Sequence, residues 1–320
     1  MSKSKAGSPG VEHTTQSFLE ALAAGGGPPM ETMEPADARK VLEGAQEGTT
    51  PPACDVTEKT IQVDGDDVTL TVVRPKGASG MLPAFMFFHG GGWVIGDYPT
   101  HQRFIHDLVT YSGCVAVYVD YARSPEARFP MALNQCYGAT KWVAANGAAI
   151  QVDGSKLAVA GNSAGGNLAA ATALKAKAEG GPKLAFQLLF WPVTDANFET
   201  ESYNQFAEGH FLTKKMMIWF WDHYLPDKAA RKDIYAAPLQ ALPDQLKGLP
   251  PTLIQTAQMD VLRDEGNAYG VKLDEAGVEV TIAQYNGLIH DYGLLNGLSE
   301  IPAVQAALRQ GAAELARHLK

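Results

Sequence analysis

The segment from Leu157 to Leu168 limits the possible folds of this chain more than any other. A short apolar run ends at Gly161, a serine follows two positions later, and an alanine-rich stretch continues after Gly165. The pattern G-x-S-x-G between a strand and a helix is that of a nucleophile elbow, a sharp turn that exposes the serine hydroxyl. Taken alone, the five residues also fit an ordinary turn between a strand and a helix. The pattern therefore predicts an α/β sheet with Ser163 at its edge and requires support from the rest of the chain.

Strand and helix patterns alternate on both sides of this turn. A polar-apolar alternation around Asp64-Gly65-Asp66 predicts a hairpin from Val56 to Val73. Six later segments are short continuous apolar runs, as strands buried on both faces require: they are Ala84 to Phe88, Val115 to Val119, Leu157 to Ala160, Leu184 to Phe190, Thr252 to Thr256 and Val278 to Gln284. Helical patterns separate most of them. The sequence therefore predicts an α/β fold with a mostly parallel eight-stranded sheet flanked by helices.

Two regions depart from this alternation and predict a helical cap. Residues 1–50 contain helical patterns from Ser17 to Ala24 and from Pro35 to Gly44, while residues 1 to about 14 are polar and predicted to fray. An insertion at about 195–235 is too long for a loop and contains an aromatic-rich helical pattern from Thr213 to Leu225. We therefore expect N-terminal cap helices over 1–50 and a catalytic domain over 51–320 that carries the cap insertion. Simple packing over a sheet edge is the alternative role for the N-terminal helices.

Charge and composition narrow the classes of partner. The formal net charge is −9 and the sequence pI is near 5.4, which argues against a nucleic-acid or anionic-membrane surface. The three cysteines, Cys54, Cys114 and Cys136, lack the spacing of a disulfide framework or a metal site. No apolar run reaches the roughly 18 residues of a membrane span. No signal peptide is visible between Met1 and His13, so the sequence predicts a cytoplasmic protein with a small-molecule partner.

A serine hydroxyl needs a base to take its proton, and the base needs a carboxylate partner. In a doubly wound sheet such groups follow the later strands. Asp260 follows the seventh predicted strand and His290 the eighth, in the order Ser163, Asp260, His290 that this fold uses. Asp264 and Asp291 are the other candidates for the acid. Asp264 is expected to charge the first turn of a helix, and Asp291 adjoins the base too closely in sequence to orient it.

Acyl transfer also requires donors that face the oxygen on which negative charge develops. The segment His89-Gly90-Gly91-Gly92-Trp93 directly follows a predicted strand, and glycine amides let a carbonyl approach the backbone. We predict the amides of Gly91, Gly92 and Ala164 as the oxyanion hole, with Gly90 as a possible replacement for one of them. His89 is expected to shape the loop. A phosphate-binding loop is excluded because the required glycine-lysine patterns are absent.

These motifs resemble the hormone-sensitive-lipase-like branch of the α/β-hydrolases, the bacterial family IV esterases. The resemblance covers about residues 56–320 and rests on five motifs: HGGGW at 89–93, DYARSPE at 120–126, GNSAGG at 161–166, DVLRDEG at 260–266 and GLIHDY at 287–292. It implies a serine carboxylesterase that hydrolyses short- to medium-chain esters through an acyl-enzyme without metal or cofactor, often as a homodimer. Trp93, Leu288 and Ile289 are our predictions for the apolar wall of the substrate pocket.

The sequence departs from the family pattern at a few positions. Asn162 stands where the family most often has aspartate or threonine, and Val261 where it has proline. Neither change removes a group that the mechanism needs, but Asn162 leaves the pH optimum open. An amidase, deacylase or arylformamidase with the same triad is the alternative activity. A receptor-like homologue that only binds a ligand is disfavoured because His290 is retained.

Overall fold

The computed structural model describes residues 6–46 and 48–320, and within them eight strands form a single sheet. The strands are β1 (Cys54–Val63), β2 (Asp66–Pro75), β3 (Leu82–Phe88), β4 (Val115–Asp120), β5 (Val152–Asn162), β6 (Phe186–Phe190), β7 (Thr252–Met259) and β8 (Val280–Ile289). Their order across the sheet is β1-β2-β4-β3-β5-β6-β7-β8. β2 pairs antiparallel with both β1 and β4, and all other neighbouring strands pair parallel. The predicted α/β-hydrolase sheet is confirmed.

Helices cover both faces of this sheet. They are α1 (His13–Gly25), α2 (Pro35–Ala45), α3 (Tyr98–Ser112), α4 (Met131–Asn146), α5 (Ala164–Ala178), α6 (Glu201–Gln205), α7 (Lys214–Tyr224), α8 (Pro243–Leu246), α9 (Arg263–Glu275) and α10 (Pro302–Leu319). α3 packs against α10, whereas α4 contacts α5, and α8 contacts both α5 and α9. The residues of β6 are all buried, as expected for a strand covered on both faces. The carboxyl ends of the parallel strands therefore share one edge, which carries the candidate site.

The N-terminal segment was expected to fray up to about residue 14, and for its described part this expectation is wrong. Residues 1–5 lie outside the described residues, but the Gly7 amide donates to the Gly209 carbonyl at 2.8 Å. The Glu12 amide donates to the Gly287 carbonyl at 2.9 Å, and the Glu12 side chain caps α1 by accepting from the Thr15 amide. Long-range hydrogen bonds thus hold a stretch whose polar composition alone indicated disorder.

The aromatic-rich insertion forms α6 and α7, and the second predicted N-terminal helix forms α2. A short 3-10 helix, Met30–Thr32, links the N-terminal region to α7. Arg39 on α2 donates to the Val94 carbonyl at 2.9 Å and forms an ion pair with Glu126. The hydrogen bond from Arg39 lowers the pKa of Glu126 to about 2. The N-terminal helices therefore contact both the insertion and the loop after β3.

Candidate active site

Ser163 occupies a sharp turn between β5 and α5. Its φ is 55° and its ψ is −120°, a strained conformation for a residue with a side chain. The Ser163 amide donates to the Phe190 carbonyl at 2.9 Å, and its carbonyl accepts from the Asn167 and Val193 amides. A Cβ at Gly161 or Gly165 would overlap the carbonyl oxygen of Phe88, which explains why the turn requires glycine there. The predicted elbow geometry is present.

Three side chains from the ends of different strands meet at this turn. The His290 Nε2 lies 3.0 Å from the Ser163 Oγ, and the His290 Nδ1 lies 2.8 Å from the Asp260 Oδ2. All three residues are buried, with exposed fractions of 4% for Ser163, 2% for His290 and 1% for Asp260. The other Asp260 oxygen accepts from the Leu262 amide at 3.0 Å, which fixes the carboxylate. A hydroxyl, an imidazole and a carboxylate in this order can activate the hydroxyl as a nucleophile.

The two other candidate acids lie elsewhere in the hydrogen-bond network. Asp264 sits in the first turn of α9, as expected, and accepts from the Ser202 amide at 2.7 Å. Asp291 was set aside because of its sequence position, yet its Oδ2 lies 3.8 Å from the Nε2 of His290. Its Oδ1 accepts from the Trp191 indole at 2.8 Å. Asp260 is thus the carboxylate that orients His290, but Asp291 also faces the base.

His290 carries a pKa above its ordinary value. Burial lowers this pKa, but the nearby charges of Asp260 and Asp291 and the hydrogen bond to Asp260 raise it further than burial lowers it. A raised pKa means that a larger fraction of His290 is protonated at a given pH. Because only the neutral ring accepts the Ser163 proton, the acid limb of activity should lie above pH ~6.5, the usual histidine value.

The loop after β3 lies beside the turn that carries Ser163, since a Cβ at Gly90 would overlap the Asn162 carbonyl. Gly91 and Gly92 have φ values of 103° and 57°, which L side chains rarely adopt, and the Gly91 carbonyl accepts from the Val94 and Ile95 amides. Among the described residues, no acceptor is found for the amides of Gly91, Gly92 or Ala164. Ala164 is the first residue of α5, so its amide has no partner inside the helix. The three amides predicted as donors therefore have no hydrogen-bond acceptor within the described part of the chain.

Gly90 differs from its two neighbours. Its amide donates to the Asn162 Oδ1 at 3.0 Å and lies 3.2 Å from the His101 Nε2, so it is already engaged. His89 is fully buried, stacks on Tyr121 with ring centroids 4.1 Å apart and contacts the Gly90 carbonyl through Nδ1 at 2.7 Å. Burial lowers the pKa of His89 well below its usual value. These contacts agree with the predicted role of His89 in shaping the loop.

The insertion packs directly on this glycine loop. A Cβ at Gly92 would overlap the ring of Phe220 on α7. Trp93 stacks on Tyr224 with ring centroids 4.0 Å apart and meets Trp221 edge to face. Phe220 was not singled out in the sequence, since its only signal was membership of an aromatic stripe that also fits core packing. The loop and α7 therefore form one packed unit.

The residues predicted for the pocket wall are all buried. Trp93 lies between the glycine loop and α7, where its indole is covered by Tyr224 and Trp221. Leu288 and Ile289 end β8 directly before His290, and both are fully covered. Their contact with a substrate stays a prediction.

Neither a metal-binding cluster nor a membrane-spanning helix occurs in residues 6–46 and 48–320. No group of three or more histidine, cysteine, aspartate or glutamate side chains in these residues could hold a metal ion. Over the same residues, no helix is both long and apolar enough to cross a membrane.

Comparison with known proteins agrees with this geometry. A family model described as alpha/beta hydrolase fold matches residues 85–294. The chain is 35% identical over 271 residues to carboxylesterase NlhH of Mycobacterium tuberculosis, covering 84% of each chain. Among solved structures, a thermostable esterase from Pseudomonas putida ECU1011 matches with a TM-score of 0.97 and 63% identity over 98% of this chain and 99% of that one. A serine-to-alanine mutant of esterase rPPE, solved in complex with (S)-Ac-CPA, matches with a TM-score of 0.97 and 62% identity over the same shares.

The chain belongs to the α/β-hydrolase family, in its hormone-sensitive-lipase-like branch of esterases. It is a carboxylic ester hydrolase.

Proposed function

We propose that Ser163, His290 and Asp260 hydrolyse short- to medium-chain carboxylic esters through an acyl-enzyme. His290 takes the Ser163 proton on Nε2 while Oγ attacks the ester carbonyl carbon. The protonated ring then gives this proton to the leaving alcohol, and a water molecule repeats the sequence on the acyl-enzyme. The observation that carries the proposal is the 3.0 Å contact between His290 Nε2 and Ser163 Oγ, together with the 2.8 Å contact to Asp260.

The oxyanion of each tetrahedral intermediate is assigned to the amides of Gly91, Gly92 and Ala164. Their support is that all three lack an acceptor among the described residues, while Gly90 is engaged by Asn162. One such donor contributes about 3 kcal/mol to the transition state. Asp260 keeps the proton of the neutral ring on Nδ1, which leaves Nε2 as the acceptor that faces Ser163.

The preference for modest acyl chains rests on the family resemblance and on Phe220. The Phe220 ring contacts Gly92, so it limits the room beside a carbonyl bound to the glycine loop. We propose that residues 1–50 and about 195–235 act together as the cap over this room. Arg39 supports the assignment because it ties α2 to the carbonyl of Val94, two residues after Gly92. Because a mutant of esterase rPPE was solved in complex with (S)-Ac-CPA, that compound is a sensible addition to the first substrate set.

Hydrolysis of p-nitrophenyl esters of increasing acyl length tests the proposal, with a p-nitroanilide as the amide counterpart. We expect kcat/KM to be highest for short and medium chains and to fall for long ones, and the anilide to react far more slowly. Ser163→Ala should abolish turnover, and Asp260→Asn should reduce it by about 10⁴-fold because the ring then holds the wrong tautomer.

Ser112→Ala is a suitable control because Ser112 is a buried serine at the end of α3, remote in the fold from the triad. It should keep wild-type turnover. Retention of ester hydrolysis by Ser163→Ala would contradict the assignment of the nucleophile. A faster reaction with the anilide than with every ester would replace the esterase proposal with an amidase.

We also propose a homodimer, on the family resemblance, and a cytoplasmic location, as the sequence analysis expects. Light scattering of the purified chain tests the first part, and a mass near twice the 34.2 kDa of one chain is expected. Fractionation of the native cells tests the second part. A monomer, or enrichment outside the cytoplasm, would overturn the respective statement.

A further inference from the structure

A buried polar chain joins the glycine loop to the catalytic base. The Gly90 amide donates to the Asn162 Oδ1 at 3.0 Å, and the Asn162 Nδ2 donates to the Asp291 Oδ1 at 3.1 Å. Asp291 then faces His290, with 3.8 Å between its Oδ2 and the ring Nε2. Asn162 is fully buried and Asp291 is 7% exposed. This series of polar contacts thus connects the glycine loop with His290 without passing through Asp260.

The orientation of the Asn162 amide is fixed by its two partners. A backbone amide only donates, so it must face the side-chain oxygen, and a carboxylate only accepts, so it must face the side-chain nitrogen. An aspartate at 162 would still accept from Gly90 but would bring a second carboxylate against Asp291. A neutral residue with one donor and one acceptor is therefore the group that this position requires next to Asp291.

Asp291 is itself held in place from a second side. Its Oδ1 accepts from the Trp191 indole at 2.8 Å, and its φ of 59° is unusual for a residue with a side chain. Both hydrogen bonds reach the same oxygen, so Oδ2 is left to face His290. A buried carboxylate at this distance stabilises a positive charge on the ring.

We propose that Asp291 is a second carboxylate that stabilises the His290 imidazolium, and that Asn162 is a positioning residue that holds Asp291 and the glycine loop in register. The proposal rests on the roles proposed for Ser163 and His290. Proton transfer from Ser163 makes the ring positive while the oxyanion forms at the glycine loop. The Gly90–Asn162–Asp291 chain links the groups that face these two charges, so it sets their relative positions.

The other titratable groups around His290 and Asp291 are few. Asp260, from the loop after β7, faces the Nδ1 side of the ring. His101 of α3 is near Asp291, but burial lowers its pKa to about 4, so it is neutral at working pH. Arg103, also on α3, is paired with Asp107 at 2.7 Å. Asp260 and Asp291 therefore supply the charges that act on the ring.

The pH dependence of kcat/KM for p-nitrophenyl acetate tests the proposal. Asp291→Asn keeps an oxygen for Trp191 and Asn162 but removes the charge, so the acid limb should move to lower pH by about one unit. Asn162→Asp brings a second carboxylate against Asp291, and because two carboxylates in contact do not both ionise, the pair must share a proton or move apart; kcat/KM at pH 7 should fall about tenfold. A double variant separates the two effects: in the Asp291→Asn background the loss caused by Asn162→Asp should be at least threefold smaller.

Active sites are counted with a phosphonate that labels the serine, so that misfolded protein does not enter the rates. Asp274→Asn is the matched control, since it removes an exposed carboxylate near the far end of α9 and should leave the acid limb unchanged. An acid limb within about 0.2 pH units of wild type in active Asp291→Asn would overturn the role of Asp291. Equal losses from Asn162→Asp in both backgrounds would overturn the role of Asn162.

If Asp291→Asn does not fold, Asp291→Ser removes the same charge with a smaller side chain, and its acid limb decides instead. No shift would overturn the proposal. Activity of the wild-type chain and its loss in Ser163→Ala test the triad separately, so a failure of the two proposals can be distinguished.

Discussion

Gly92 lies where the loop of the proposed oxyanion hole contacts α7 of the proposed cap, and Gly92→Ala tests this contact. The residue has a φ of 57°, and an added Cβ would overlap the Phe220 ring. A left-handed φ costs an alanine about 1 kcal/mol, and overpacking a buried contact costs about 1–3 kcal/mol. The variant should therefore lose about 2–4 kcal/mol of unfolding free energy, which lowers Tm by about 4–8 °C at about 2 °C per kcal/mol.

The kcat of Gly92→Ala should fall by more than its lower free energy of unfolding alone would cause. The Gly91 carbonyl is held by the Val94 and Ile95 amides, so the loop cannot rotate away from Phe220 without moving its own amides. Misplacing one oxyanion donor costs about 100-fold in kcat. The assay is the hydrolysis of p-nitrophenyl acetate, with kcat and KM measured separately and Tm taken from a thermal melt.

Two companion variants isolate the cause. Gly80→Ala is the backbone control, because Gly80 has a φ of 74° and an added Cβ would meet nothing within 4 Å. It should lose about 1 kcal/mol and keep full activity. Adding Phe220→Ala to Gly92→Ala removes the overlap and should restore kcat at least tenfold. If Gly92→Ala matches Gly80→Ala in both Tm and kcat, the ring yields freely and the argument for a fixed loop is refuted.

Three further predictions follow from single groups. The acid limb of kcat/KM should reflect the pKa of His290 and lie above pH ~6.5, because Asp260 and Asp291 raise this pKa more than burial lowers it. A pH profile with a midpoint well below 6 would contradict this. Arg39→Ala removes the hydrogen bond to the Val94 carbonyl and should speed limited proteolysis in the exposed segment 25–29 that precedes α2. Cleavage at the wild-type rate would show that Arg39 does not hold α2 in place. Burial raises the pKa of Glu265, so this carboxyl binds a proton more tightly in the folded protein than in the unfolded chain, and the free energy of unfolding should fall as pH rises above ~4.5. Glu265→Gln still accepts from the Thr194 amide and should remove this pH-dependent loss in urea melts. An unchanged pH dependence in the variant would contradict the prediction.

The sheet and the meeting of Ser163, Asp260 and His290 could be predicted because local patterns and the parallel topology determine them. Ser163 needs glycines on both sides of a strand-to-helix turn, and that requirement is visible in five consecutive residues. His290 and Asp260 follow continuous apolar runs, and the parallel topology brings such positions to one edge. Pattern and topology were therefore sufficient to bring together three residues that are distant in sequence.

The residues that were missed act through contacts that no local pattern encodes. Asp291 was set aside because it adjoins His290, but its positive φ turns its side chain toward Trp191 and back toward the ring. Asn162 was noted as a departure from the family, and its partners became clear only when Gly90 and Asp291 were placed on either side of it. Both are polar residues whose role depends on a folded neighbour from another strand.

The same reasoning explains why the pocket is the least predictable part of the site. A stripe of aromatic residues at helical spacing specifies that α7 will be buried, but it does not specify on what. In the fold, Phe220 meets Gly92 while Tyr224 on the same helix stacks on Trp93. If α7 is part of the cap and Gly92 of the oxyanion hole, as proposed, Phe220 affects both the room for substrate and the position of the donors. Substitutions in α7 that change ester selectivity should therefore also change kcat, and the two properties cannot be tuned independently at Phe220.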